Sequence, residues 1–165
     1  MDELEDLSAR VGSALKARGL WLVTAESCTG GWLGQAITAV PGSSQWYERG
    51  FITYTNRAKE EMLGVSPDTL ARHGAVSEAV VAEMAQGALA KSPADVSVAI
   101  SGIAGPGGAT PGKPVGTVCM AWATRQGELR LRTFHFEGDR AAVRRQAVAA
   151  ALEGLLALTA TPAAT

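Results

Sequence analysis

The chain has 165 residues, of which 47% are hydrophobic and 19% are charged, and its formal net charge at pH 7 is −1. This length and apolar content support one domain with a hydrophobic core and exclude a disordered chain. The near-zero charge argues against a dedicated nucleic-acid-binding protein, because contacts with phosphate groups require clustered Lys and Arg.

The sequence has neither a pattern typical of a membrane span nor one typical of a secretion signal. Its most apolar stretch is interrupted by the charged residues Arg144, Arg145 and Glu153. Residues 1–6 are acidic, whereas a signal peptide begins with basic residues. We therefore expect a cytoplasmic protein without a membrane partner.

Hydrophobic periodicity and chain-breaking residues predict alternating helices and strands in the first half of the chain. Apolar residues at helical spacing predict a helix over 4–18, and the next apolar run predicts a buried strand over 20–25. The later predicted elements are, in order, a helix over 32–40, a strand over 50–55, and helices over 56–63, 67–72 and 77–90, the last capped by Ser77.

The second half of the chain begins with further strands. An apolar run predicts a strand over 96–100. Two more strands, over 115–124 and 129–136, are predicted to form an antiparallel hairpin around a turn at Gly127.

A helix is predicted to close the domain. Asp139 is expected to cap a helix over 140–158, and residues 159–165 are expected to be frayed. Together these elements predict one α/β domain over residues 1–165. Its mixed sheet of about five strands would be covered by helices on both faces.

Three predicted strands lead into chemically distinctive segments, at residues 27–31, 54–59 and 101–108. In open α/β sheets, ligands bind beyond the carboxyl ends of the strands. Glycines in two of these segments allow a ligand to approach the backbone closely and leave amides free for an anion. We therefore expect an anion-binding cleft where the three segments meet.

Ser27 is a candidate nucleophile, because it follows a strand and precedes a helix, where free amides favour a developing negative charge. From the residues alone, an ordinary helix N-cap is the alternative, since serine often has that role. Neither of the familiar serine-hydrolase signatures, G-x-S-x-G and S-x-x-K, surrounds Ser27.

Lys59 is the candidate base for that serine, because a buried lysine can lose its proton. It is one of only four lysines among the 15 basic residues, so its choice over arginine is informative. Tyr54 could orient or relay a proton. The alternatives are a solvated Lys59 and an ordinary half-buried Tyr54, while His73 and His135 are expected to have surface or packing roles.

Other interpretations of this region stay open. Cys28 could be the nucleophile, since a thiol at the mouth of a helix has a lowered pKa, or it could be a small buried side chain. Arg140, Arg144 and Arg145 could clamp a phosphate or form a solvated charged surface. The spacing of His and Cys residues fits neither a metal site nor a disulfide framework, so we expect no metal.

Several strings of the sequence resemble one known family over almost the whole chain. The family is that of the CinA C-terminal domain, and the resemblance lies in segments 24–31 (TAESCTGG), 50–54 (GFITY), 73–77 (HGAVS), 101–108 (SGIAGPGG), 113–118 (KPVGTV) and 138–140 (GDR). The resemblance implies a three-layer α/β/α sandwich with a mixed, mostly parallel sheet.

The resemblance also implies an activity. Stand-alone members of the family hydrolyse nicotinamide mononucleotide to nicotinate mononucleotide and ammonia, without a metal or another cofactor. The catalytic groups of the family correspond to Ser27 as nucleophile, Lys59 as base and Tyr54 as an assisting residue. The expected substrate-binding residues, for the oxyanion and the phosphate, are Cys28, Thr29, Gly30, Gly31, Ser101, Gly102, Gly105, Gly107 and Arg140.

A second hypothesis is a catalytically silent module of the same fold that binds a nucleotide or a protein partner. The presence of Ser27, Tyr54 and Lys59 together favours the enzyme. Many family members carry an additional N-terminal domain with nucleotide pyrophosphatase activity, and we do not expect that activity here. The pair Trp46-Tyr47 and the alanine-rich last helix suggest self-association, so a homo-oligomer is expected, whereas a nucleic-acid partner is not.

Overall fold

Five strands form one sheet in the computed structural model, which describes residues 2–160. The sheet order is β2-β1-β3-β4-β5, in which β1 pairs parallel with β2 and β3, and β4 pairs antiparallel with β3 and β5. The predicted mixed sheet is confirmed, and β4 runs against the other four strands. The strands are β1 (Leu22–Glu26), β2 (Tyr47–Ile52), β3 (Val96–Gly102), β4 (Thr117–Thr124) and β5 (Leu129–His135).

Helices cover both faces of this sheet. In the described part of the chain they are α1 (Glu3–Ala17), α2 (Trp32–Thr38), α3 (Asn56–Leu63), α4 (Pro67–His73), α5 (Glu78–Ala90) and α6 (Arg140–Ala160), with a short 3-10 helix at Ser43–Gln45. The predicted caps form: the Ser77 hydroxyl accepts from the Val80 amide at 3.2 Å, and the Asp139 carboxylate accepts from the Ala142 amide at 2.9 Å.

Alternate side chains of the strands pack into two separate cores. On one face, Val98, Ile100 and Met120 pack with α1, α2 and α6. On the other face, Ala99 and Ala121 pack with α3, α4 and α5. The predicted α/β/α sandwich is therefore confirmed, and Ser27 follows the internal strand β1, which lies between β2 and β3.

The bounds of β2 correct the prediction of a strand over 50–55. The strand ends at Ile52, because the carbonyl oxygen of Thr53 accepts a hydrogen bond from Lys59 instead of a strand amide. Tyr54 therefore lies in the connection that leads into α3, and not at the end of a strand.

Two further predictions are wrong. Thr159 and Ala160 are helical rather than frayed, and the Thr159 hydroxyl donates to the Leu155 carbonyl at 2.9 Å. The rest of the predicted frayed tail, residues 161–165, lies outside the described residues. Trp46 is buried in the core rather than available for self-association, since it packs against apolar residues of α1 and α2. None of the helices within residues 2–160 has the length and apolar character that a membrane span requires.

Candidate active site

Ser27 and Lys59 are in contact at the carboxyl end of β1. Ser27 directly follows β1, and the Lys59 side chain comes from α3, which Thr55 caps by accepting from the Ala58 amide at 3.1 Å. Lys59 lies on the buried face of α3 with Leu63, one turn further along. Its Nζ donates to Ser27 Oγ at 3.0 Å, and only 1% of Lys59 is exposed. The alternative of a solvated Lys59 is wrong.

The surroundings of the Lys59 amine favour its neutral form. Besides Ser27 Oγ, Nζ contacts the carbonyl oxygens of Thr53 at 2.9 Å and Tyr54 at 3.3 Å, and no ion pair among the described residues includes Lys59. Burial lowers the pKa of Lys59, and the negative charge of an ionised Cys28 would oppose this shift. Loss of one proton from Nζ would leave two N–H donors for the two carbonyls and a lone pair that can accept the Ser27 proton, so the arrangement suits a general base.

Tyr54 takes part in this arrangement through its main chain. Its carbonyl oxygen accepts from Lys59 and, at 3.5 Å, from Ser27 Oγ. Its phenol is exposed, and the phenolic oxygen accepts from Arg140 Nη2 at 3.3 Å. The Tyr54 phenol thus contacts Arg140, whereas the Tyr54 main chain contacts Ser27 and Lys59.

Cys28 has the environment of a packed side chain and not that of an activated thiol. Burial raises the pKa of Cys28 to about 11, which outweighs the lowering that a helix mouth would give. The thiol also packs closely against β3, because a Cβ added at Gly102 would lie 3.1 Å from Cys28 Sγ. Of the two alternatives for Cys28, the small buried side chain fits these surroundings.

The serine-bearing turn, residues 27–31, is built on Glu26, which the sequence analysis missed. Glu26 is only 2% exposed, and its Oε1 accepts from the Thr29 hydroxyl at 2.6 Å. The amides of Gly31 at 3.2 Å and Leu33 at 2.9 Å donate to the same oxygen, while the Gly34 amide donates to Oε2 at 3.0 Å. The signal that could have revealed Glu26 is a charged residue at the end of a strand that is predicted to be buried.

The amides of this turn divide into two groups. Gly30 donates to the Ser27 carbonyl at 3.0 Å, and Gly31 donates to Glu26, so both amides are already used. Within residues 2–160, the amides of Cys28 and Thr29 donate to no backbone carbonyl. Of the four expected amides, these two are therefore the ones available to an oxyanion beside Ser27.

Two of the three arginines near the start of α6 contact the segments around Ser27. Arg144 donates to the carbonyl oxygens of Cys28 at 3.0 Å and Thr29 at 3.1 Å. Arg140 donates to the Gly105 carbonyl at 2.9 Å as well as to Tyr54, whereas Arg145 is exposed. Both contacting arginines border a cleft of about 560 Å³, which is lined by Ala104, Pro106, Val115, Gly138, Asp139, Arg140, Ala141 and Arg144.

The residues expected to bind substrate from the glycine-rich loop have different environments. Ser101 is buried within β3, and Gly102 is covered by Val118, whose Cγ2 would lie 2.6 Å from a Cβ at Gly102. Gly105 presents its carbonyl to Arg140, and Gly107 is exposed. Gly105 and Gly107 thus lie on either side of Pro106, which lines the cleft, whereas Ser101 and Gly102 are not among the residues that line it.

The histidines and the acidic residues do not form a metal site. Among the residues that the structure describes, no group of three or more His, Cys, Asp or Glu side chains could hold a metal ion. His73 and His135 are exposed, as the sequence predicts for surface roles.

Comparison with known proteins gives consistent matches. The CinA C-terminal domain model matches residues 4–159. The chain is 61% identical over 153 residues to the nicotinamide-nucleotide amidohydrolase PncC of Escherichia coli (strain K12), with 93% of each chain covered. It is 50% identical over 158 residues to the protein of the same name from Pseudomonas putida, with 96% of this chain and 98% of the relative covered.

Two solved structures are also similar over nearly the whole chain. One is the competence/damage inducible protein CihA from Agrobacterium tumefaciens, at 44% identity and a TM-score of 0.93, with 96% of each chain covered. The other is the CinA superfamily protein KP700603 from Klebsiella pneumoniae, at 45% identity and a TM-score of 0.93, with 96% of this chain and 99% of that chain covered.

Proposed function

The chain belongs to the CinA C-terminal domain family, and we propose that it is a nicotinamide-nucleotide amidohydrolase with Ser27 as nucleophile and Lys59 as base. The observation that carries the proposal is the 3.0 Å contact between the buried Lys59 amine and Ser27 Oγ. The names of its close relatives supply the substrate, a nicotinamide nucleotide. We take residues 1–165 as one amidohydrolase domain.

The first half of the reaction forms an acyl-enzyme. Neutral Lys59 accepts the proton of Ser27 as Oγ attacks the carboxamide carbon, and the carbonyl oxygen becomes an oxyanion facing the amides of Cys28 and Thr29. The Lys59 ammonium then protonates the amide nitrogen, the C–N bond breaks and ammonia leaves. We assign this proton to Lys59 rather than to Tyr54, because the Tyr54 phenol contacts Arg140.

The second half of the reaction regenerates the serine. Water attacks the ester carbon while neutral Lys59 takes one of its protons, and collapse of the new oxyanion breaks the bond to Ser27 Oγ. Lys59 returns the proton to Ser27, and nicotinate mononucleotide leaves. One water is consumed for each ammonia released, and every proton transfer uses the amine that Thr53 and Tyr54 hold with their carbonyls.

We place the phosphate of the substrate in the cleft beside Arg140 and Arg144. The expected substrate-binding residues include both glycines of the glycine-rich loop and Arg140, and the Arg140 contact with Gly105 makes them parts of one cleft wall. A guanidinium group suits a phosphate because its paired N–H groups match the phosphate oxygens.

The wider setting of the enzyme is also a proposal. We propose a cytoplasmic enzyme without a nucleic-acid partner, which the formal net charge of −1 supports. A homo-oligomer is supported by Leu129 and Leu131, which are exposed on β5 at one edge of the sheet.

Ammonia release from nicotinamide mononucleotide tests the proposed function. We expect release by the wild-type protein in the presence of EDTA and its loss in Ser27→Ala. Ser97→Ala is a matched control, because it removes another buried hydroxyl, which donates to the Ala85 carbonyl at 2.8 Å away from the turn. A folded wild type that binds the nucleotide but releases no ammonia would instead identify the silent binding module.

A further inference from the structure

The buried carboxylate of Glu26 holds more of the serine-bearing turn than a helix cap requires. A typical N-cap side chain accepts from one amide of the first helical turn. Glu26 instead accepts from three amides and the Thr29 hydroxyl, and it lies at the end of a strand that is buried throughout. No ion pair in the described part of the chain includes Glu26, so hydrogen bonds alone compensate the burial of its charge.

The hydrogen bonds of Glu26 also determine which amides stay available. The carboxylate takes the amide of Gly31 and two amides of α2, which are the donors that follow the turn. Its bond to the Thr29 hydroxyl fixes the residue between Cys28 and Gly30. The amides of Cys28 and Thr29, which directly follow Ser27, donate neither to this carboxylate nor to a backbone carbonyl within residues 2–160.

Arg144 holds the same turn from its carbonyl side. Its guanidinium donates to the carbonyl oxygens of Cys28 and Thr29. The Cys28 carbonyl and the Thr29 amide belong to one peptide group, so a cation on that oxygen polarises the group and strengthens the Thr29 N–H as a donor. The positive charge of Arg144 also offsets the negative charge that Glu26 brings near a developing oxyanion.

From these contacts we propose that Glu26 is a positioning residue for the oxyanion hole, holding the turn so that the Cys28 and Thr29 amides face the oxyanion. The inference rests on the proposed function, which supplies the natural substrate. It concerns the transition state, because an oxyanion exists only after Ser27 attacks, and so it predicts an effect on kcat and not on KM.

The test compares Glu26→Gln with Ser97→Ala. Glutamine keeps the size of the side chain and one acceptor oxygen, but its NH2 group replaces the second oxygen and cannot accept the hydrogen bonds made there. Ser97→Ala also removes a buried hydrogen bond, the 2.8 Å bond from the Ser97 hydroxyl to the Ala85 carbonyl, which involves no residue of the turn. Both variants are measured for melting temperature, kcat, KM and the pH dependence of kcat.

We expect Glu26→Gln to lower kcat about tenfold to a hundredfold, with KM within about twofold and the position of the pH profile unchanged. Ser97→Ala should lower the melting temperature and leave kcat unchanged. An unchanged kcat in Glu26→Gln would overturn the proposal. A displaced pH profile would also overturn it, since Glu26 would then act by shifting the pKa of Lys59.

A second pair of variants covers the case in which Glu26→Gln does not fold. Thr29→Val removes the hydroxyl that donates to Glu26, whereas Thr29→Ser keeps it. We expect a reduced kcat in Thr29→Val and rescue in Thr29→Ser. Equal kcat values in these two variants would overturn the proposal.

A fluorophosphonate that labels serine nucleophiles separates this inference from the proposed function. Ser27 Oγ bonds to phosphorus, Lys59 takes the hydroxyl proton, and the P–F bond breaks to release fluoride, while the phosphoryl oxygen occupies the oxyanion hole. Labelling should slow in Glu26→Gln by the same factor as kcat. A wild type that is labelled but releases no ammonia overturns the proposed function and leaves the labelling rates as the test of Glu26. A wild type that is neither labelled nor active overturns both.

Discussion

At the scale of single residues, the central feature is a buried lysine, Lys59, whose pKa is lowered by its burial. Lys59 has three oxygen neighbours and no carboxylate among its hydrogen-bond partners. In water its ammonium form would dominate at neutral pH, but burial penalises that charge and lowers the pKa.

Activity is predicted to rise with pH as Lys59 loses its proton. Because burial lowers the Lys59 pKa from its ordinary 10.5, the rise in kcat/KM should be centred below that value. Lys59→Arg keeps the charge but cannot act as a base near neutral pH, so it should lower kcat at least about a hundredfold. The measurement is a pH–rate profile of both proteins.

Lys91→Arg, the same exchange at an exposed lysine, is the control and should match the wild type. An active Lys59→Arg enzyme would contradict the role of Lys59 as base.

At the scale of elements, α3 shows how much the sequence could predict. Its bounds, Asn56–Leu63, match the prediction, because Thr55 is a strong N-cap and Gly64 adopts a positive φ of 71° that ends the helix. The end of β2 was not predictable in the same way. β-branched and aromatic residues continue through 55 and predict that the strand continues with them. The strand ends at Ile52, because the next carbonyl, that of Thr53, accepts a hydrogen bond from the Lys59 side chain, and strand propensity does not predict this contact.

The candidate site was likewise predictable only in part. Ser27 and Lys59 were identified from local position and from resemblance to a family, and the fold brings them together. The burial of Lys59 and the hydrogen bonds of Glu26 depend on the packing of α3 and α2 against the sheet, which no local pattern encodes. For Cys28, burial raises the pKa of the thiol and a helix N-terminus lowers it, and only the surroundings in the fold show which effect is larger.

The position of α3, and with it Lys59, is predicted to depend on Gly87 in α5. A Cβ at Gly87 would lie 1.9 Å from the carbonyl oxygen of Leu63, and a backbone atom cannot move aside as a flexible side chain could. Gly87→Ala should therefore separate the two helices and lower the free energy of unfolding by about 1–3 kcal/mol. The displacement of Lys59 together with α3 should also lower kcat about tenfold or more.

Urea unfolding and steady-state kinetics measure both effects of this substitution. Gln86→Ala, at the exposed neighbouring position, is the control and should leave both quantities unchanged. A fully active and stable Gly87→Ala protein would show that α3 does not depend on this contact.

At the scale of the whole molecule, the lowered pKa of Lys59 couples folding to pH. Between the lowered pKa of folded Lys59 and its ordinary value of 10.5, the unfolded chain binds a proton that the folded protein does not. This group therefore makes the free energy of unfolding rise with pH in that window, by at most about 1.4 kcal/mol per pH unit. Below the window, the group destabilises the folded protein by a constant amount.

Lys59→Met is predicted to lose this contribution to the pH dependence. The difference in unfolding free energy between wild type and variant should shift in favour of the wild type as the pH rises towards 10.5. Denaturant titrations at a series of pH values measure it, with Lys91→Met as the exposed control. Parallel curves for wild type and Lys59→Met would contradict a lowered pKa.

Trapping the covalent intermediate identifies the nucleophile itself. The protein is mixed with nicotinamide mononucleotide, quenched in acid during turnover and analysed by mass spectrometry. We predict an ester-linked nicotinate mononucleotide in the wild type that disappears in Ser27→Ala and persists in Cys28→Ala, since burial keeps that thiol protonated. An adduct that survives in Ser27→Ala and is lost in Cys28→Ala would contradict the serine mechanism.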